Sequence, residues 1–127
     1  MSIRFLRAIL GASAAVLCLV PMAMSVAAQD LSDVPANATR LLTVVTTVDN
    51  AVSAGDWATA RGGWNDFDNL WEEVEDGFRA ISRDNYRTIE THQGTIRGLL
   101  REDSPDADRI RSEITSIREL IQWFGPN

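Results

Sequence analysis

From Trp57 to Phe78 the large apolar residues recur with helical spacing. Trp57, Ala60, Trp64, Phe67, Trp71, Val74 and Phe78 alternate steps of three and four, which is the a/d seam of a helix packed on other helices. Three tryptophans lie on that seam, and heptad spacing marks them as core knobs rather than a ligand-stacking cage. Each buried tryptophan contributes a few kcal/mol at about 25 cal/mol per Å² of apolar surface. Gly62, Gly63 and Gly77 fall inside the same stretch. Each lowers helix propensity by up to about 1 kcal/mol, so packing has to compensate.

Three further seams follow the same rule. Leu41, Val45, Val48 and Val52, with Leu42 and Val44 alongside, predict a first helix over 38–54. Its valines and Thr43, Thr46 and Thr47 are modest helix formers; a strand is the competing assignment, and the spacing favours the helix. Gly55 supplies a stop and Asp56 an N-cap for the tryptophan helix, which runs to about Ile81. A third helix begins at Ser82, carries Asp84 in its first turn and buries Tyr86, Ile89, Gln93, Ile96 and Leu100. Glu102-Asp103-Ser104-Pro105 ends it. A fourth begins near Pro105 or Asp106, buries Ala107, Ile110, Ile114, Ile117, Ile121 and Phe124, and closes at Gly125-Pro126. Short connections between helices of similar length imply an all-α, antiparallel up-down-up-down four-helix bundle over 38–125, after a flexible segment over 29–37. The weakest break is at Ser82, which has neither Gly nor Pro beside it. The alternative is one long bent helix from Trp57 to Arg101.

The first 28 residues have another character. Arg4 and Arg7 precede an apolar run from Ala8 to Val20, Pro21 breaks it, and Val26-Ala27-Ala28 offers small residues for cleavage before Gln29. This is the pattern of a signal peptide cleaved after Ala28, with an uncleaved anchor as the alternative. It assigns the domain to the periplasm or the extracellular space. Cys18 sits in the apolar run behind Leu17, not behind the small residue a lipoprotein signal requires. Cleavage therefore leaves no cysteine for a disulfide, a thiolate metal site or thiol catalysis.

Charge narrows the partners. The formal net charge is −6; the part after residue 28 keeps ten of the twelve arginines, all eighteen acids and no lysine, for −8. Nucleic acid is an unsuitable partner, because phosphates need a basic surface. Metal cations or basic proteins suit this field, while the plainer reading is that the acids keep an exported domain soluble.

Folding the chain about the Ser82–Arg83 junction turns the acids into a specific pair. Glu75 and Glu90 fall opposite each other, each one position past a seam residue, Val74 or Ile89. Glu72 falls level with Gln93, and Tyr86 lies one turn before Glu90. Glu75, Glu90, Tyr86 and Glu72 would make a hard oxygen cluster suited to iron, manganese, calcium or magnesium. The competing reading is ion pairing with Arg79, Arg83 and Arg87. Asp49 and Arg61, symmetric about Gly55, read as an ordinary cross-helix pair. His92, the one histidine, misses the Glu-x-x-His spacing of di-iron carboxylate bundles. No catalytic residues emerge: Ser82 is an N-cap without a histidine and acid to activate it, and Gly62-Gly63 lacks the lysine and strand of a phosphate loop.

Gly55-Asp56-Trp57-Ala58-Thr59-Ala60, Trp71-Glu72-Glu73-Val74-Glu75-Asp76 and Ser82-Arg83-Asp84-Asn85-Tyr86-Arg87-Thr88-Ile89-Glu90 together carry a resemblance. The stretch from Leu41 to Leu100 resembles the soluble extracytoplasmic domain preceding the membrane part of bacterial high-affinity iron permeases. The resemblance implies an exported helical domain in iron uptake, with Trp71, Glu75, Ser82, Tyr86 and Glu90 as the matching positions. The permease membrane helices and their Arg-Glu-x-x-Glu motifs have no counterpart here; Arg118-Glu119-Leu120-Ile121-Gln122 is not such a motif. The resemblance therefore implies a non-enzymatic accessory protein that binds iron or another divalent cation, or docks on a membrane iron permease. The alternative is a structural or interaction module of the cell envelope with no metal site.

Overall fold

The computed structural model describes residues 30–126. The expected signal segment over 1–28, with Cys18 and the cleavage position, lies outside the described residues. Four helices make up the rest: α1 Val34–Ser53, α2 Trp57–Ile81, α3 Arg83–Leu100 and α4 Ala107–Gln122. There is no strand among the described residues. None of these helices is long and apolar enough to cross a membrane.

Local chemistry explains each boundary. Helix α1 starts at Val34, four residues before the expected Ala38, because Pro35 in its first turn is preorganised for a helix and needs no N–H partner. Its end is a Schellman turn: Gly55 takes φ +70°, Gly55 N–H donates to the Val52 carbonyl, and Asp56 N–H to that of Ala51. Asp56 then caps α2, accepting from Thr59 N–H. Ser82 alone separates α2 from α3. It leaves the helix for an extended conformation, and its Oγ accepts from Asn85 N–H. One well-capped residue thus breaks the chain, and the long bent helix does not form. Asp106 caps α4 in the same way, through Arg109 N–H.

Helix α1 packs on α2 and α4, and α3 packs on α2 and α4; the backbones of the diagonal pairs stay apart across the core. Contacts between α2 and α3 join falling to rising residue numbers, from Glu75 with Tyr86 through Asp68 with Gln93 to Arg61 with the Leu100 carbonyl. The four seams close on one core. Trp64 and Phe67 stack with centroids 4.5 Å apart, and Phe67, Trp71 and Phe78 continue the row along α2. Trp57 is only partly buried, because it is the first residue of α2 and the end of the bundle covers one side of it. The threonines of α1 point outward, and Thr43, Thr46 and Thr47 return their hydroxyls to the carbonyls four residues back.

Two of the glycines that weaken α2 prove to be contact points. A Cβ on Gly63 would lie 2.9 Å from Val48 Cγ2, and one on Gly77 would lie 2.8 Å from Val34 Cγ2. Their missing side chains let α1 approach α2 closely, which is how packing compensates for their propensity.

Candidate functional site

Helices α2 and α3 enclose a groove of about 540 Å³, open to solvent and lined mostly by polar side chains. Asp68, Glu72 and Glu75 come from α2, and Glu90, Gln93 and Arg97 from α3, with Trp71 between them. The residues of α2 recur here at steps of three and four, so one stripe beside the apolar seam supplies one wall.

The expected cluster comes together around Tyr86. Its ring is buried and stacks on Trp71, with centroids 5.8 Å apart. Its hydroxyl donates to Glu90 Oε1 at 2.7 Å and lies 3.4 Å from Glu75 Oε2. The two carboxylate oxygens can therefore be no farther apart than the sum of those distances. The hydrogen bond to Glu90 is the main reason that the Tyr86 phenol is pushed up to about 12. Burial and the negative charges of Glu75 and Glu90 push the same way, and Arg79 opposes them. Glu72 lines the same groove but makes no hydrogen bond with this trio.

The competing arginine pairs do not form. Arg79 pairs with Asp76 and holds its guanidinium 5.7 Å from the centre of the Tyr86 ring. Neither Glu75, Glu90 nor Glu72 forms an ion pair with any arginine among the described residues. No group of three or more His, Cys, Asp or Glu side chains among those residues stands close enough to hold a metal ion. What converges is a pair of carboxylates with a phenol between them.

The other end of the groove is neutralised. Arg97 donates to both oxygens of Asp68, at 2.8 Å each, and Gln93 Nε2 donates to Asp68 Oδ1 at 2.7 Å. Asp68 holds the Arg97 guanidinium above its ordinary range through these bonds. The side-chain N–H of Gln93, a buried seam residue, thereby finds its acceptor, and the Gln93 backbone carbonyl accepts from Trp64 Nε1 at 3.3 Å. Sequence reasoning set Gln93 level with Glu72 and passed over Asp68 and Arg97. The signal was there: the reflection about Ser82–Arg83 that pairs Glu75 with Glu90 also pairs Asp68 with Arg97.

Two other expectations resolve differently. Asp49 does not pair with Arg61; it meets Arg111 and Arg118 of α4, at 3.3 and 3.2 Å. Arg61 instead donates to the carbonyls of Leu100 and Glu102. In a bundle α1 has two neighbours, and reflection about Gly55 considers only one. His92 points away from Glu90 and meets Glu113 of α4 at 2.6 Å.

No protein-family model, curated protein or solved structure matches this chain.

Proposed function

We propose that this protein is an exported, non-enzymatic accessory protein in iron or divalent-cation uptake, with the α2–α3 groove receiving the cargo cation and a membrane iron permease as docking partner. One observation carries the reading. Glu75 and Glu90, from two helices, share one phenol hydroxyl, and neither is paired with an arginine. Glu72 adds a third unpaired carboxylate to the same groove. Like charges held together without a counter-ion favour a cation between them. The uptake context rests on the resemblance to permease extracytoplasmic domains.

The test is thermal unfolding with Fe²⁺ under anaerobic conditions, and with Mn²⁺. A cation at a hundred times its Kd stabilises the fold by about 2.7 kcal/mol, a rise of several degrees in Tm. Glu75→Gln and Glu90→Gln each abolish most of that rise. Equal melting curves with and without cation in the wild type would end the proposal.

A structural or interaction module of the envelope is the second reading, and the end of the bundle favours it. Ile81 and Trp123 are 43% and 59% exposed and line a groove of about 470 Å³ with Pro35 and Phe124. On this reading cations leave Tm unchanged, while replacing Ile81 and Trp123 by serine removes association with an envelope partner.

A further inference from the structure

Among the described residues three large apolar side chains stay exposed: Leu31 at 37%, Ile81 at 43% and Trp123 at 59%. All three stand at one end of the bundle. Leu31 lies just before α1, with its carbonyl accepting from Val34 N–H; Ile81 is the last residue of α2, and Trp123 caps the C-terminus of α4. Val34 lies against Gly77 and Phe78 against Phe124, which draws those three helix ends together. The Trp123 ring meets buried Phe124 edge-on, which holds its orientation. The exposed parts of the three side chains amount to roughly 300 Å², against about 800 Å² on each partner of a stable protein interface. A second copy of the chain is therefore a poor occupant. The chain points to another. No charged residue falls between Ala8 and Gln29, a stretch as long as the roughly 20 residues that cross a bilayer. Asp30 and Leu31 follow it directly, so that stretch is joined to the bundle at the end with the exposed side chains.

We propose that, in the chain that keeps residues 1–28, this end of the bundle is a membrane-contact surface, with Leu31, Ile81 and Trp123 seated in the headgroup region of the bilayer that holds the uncharged stretch. Indole suits that depth, because its ring is apolar and its N–H is polar. The tether keeps the patch beside the lipid, so a small apolar area suffices for contact. Charge selects the lipid. Arg79 and Arg83 stand within three residues of the exposed side chains, against Asp30, Asp33 and Asp84. The rim has no basic excess, so the contact is apolar and does not favour anionic headgroups. Lipid thereby becomes the partner of the second reading, and the cation reading does not depend on it.

The full chain is reconstituted with phosphatidylcholine vesicles and recovered by flotation. Tryptophan emission is then compared with and without brominated acyl chains, which quench only indoles that touch lipid. Trp64 and Trp71 are buried and Trp57 stands at the far end of the bundle, so the quenched signal belongs to Trp123. Trp123→Phe removes most of it. Leu31→Ser with Ile81→Ser, the fold checked by circular dichroism, lowers the quenching severalfold and opens Trp123 to iodide. Replacing part of the lipid by phosphatidylglycerol leaves the quenching equal or lower. Trp123 that stays open to iodide and unquenched in the floated protein would overturn membrane contact, and so would a chain that does not float. A rise in quenching with phosphatidylglycerol would assign the contact to Arg79 and Arg83 and overturn its apolar basis. Shielding of Trp123 that follows protein density in the vesicle, without bromine quenching, would make a second copy the occupant. Each of these failures leaves the cation reading standing, because the melting shift with Fe²⁺ or Mn²⁺ is measured at the other surface.

Discussion

Tyr86 gives the most direct test of the site, because it can be watched alone. It is the only tyrosine in a chain without lysine, and arginine titrates above the accessible range. Its phenol is pushed from 10.0 up to about 12, chiefly by the hydrogen bond to Glu90. A phenol is charged when deprotonated, so the folded protein holds this proton more tightly than the unfolded chain. The stability this contributes is fully present below about pH 10 and is lost as pH rises toward 12. At 1.36 kcal/mol per unit, the shift corresponds to about 2–3 kcal/mol. The ring is buried, but its hydroxyl lies in a groove open to solvent beside the exposed Glu90, so screening discounts this to about 1–2 kcal/mol. Each kcal/mol moves Tm by about 4–8 °C in a domain of this size, so the melting point drops by about 5–15 °C across the window. The assay is tyrosinate ultraviolet absorbance against pH, in buffer and in denaturant. The native midpoint falls near 12 and the denatured one near 10. Glu90→Gln, which removes the leading cause, returns the native midpoint most of the way to 10, and Glu75→Gln moves it less. A native midpoint at the ordinary value, or one indifferent to Glu90→Gln, refutes the convergence of the two carboxylates on this hydroxyl. A cation held beside Glu75 and Glu90 lowers the midpoint, which links the titration to the proposed function.

The glycines of α2 separate propensity from packing. Gly62→Ala stabilises by about 0.5–1 kcal/mol, because a Cβ there meets nothing within 4 Å and a mid-helix alanine is preferred. Gly63→Ala destabilises despite the same gain, because its Cβ meets the buried, β-branched Val48; thermal melts of the two variants should move in opposite directions. Asp68→Ala removes three hydrogen bonds and strands the amide of Gln93, costing about 1–3 kcal/mol in urea unfolding. A loss below about 0.5 kcal/mol would show that this network does not hold α2 to α3.

The fold was largely legible because it rests on repetition. Each helix presents apolar residues at steps of three and four, and these became the buried seams almost residue for residue. The boundaries followed from Gly55, Asp56, Ser82 and Asp106, whose effects are local: a left-handed turn and three side-chain caps. Reflection about the tight Ser82 junction set Glu75 near Glu90, because a one-residue connection leaves little freedom in how α3 returns along α2. Other features depended on a third helix or on the third dimension. Asp49 chose the arginines of α4 over Arg61, since a sequence reflection cannot see the neighbour that closes the ring. Gly63 and Gly77 look like defects in a string of letters and are contacts only once α1 lies across them. The freedom of Glu75 and Glu90 from the nearby arginines was also decided in tertiary structure, where Arg79 is taken by Asp76 and by the face of Tyr86. Periodicity and capping act over a few residues and determine the helices. Which charges remain unpaired is a competition among all the surfaces that folding brings together, and only the packed bundle decides it.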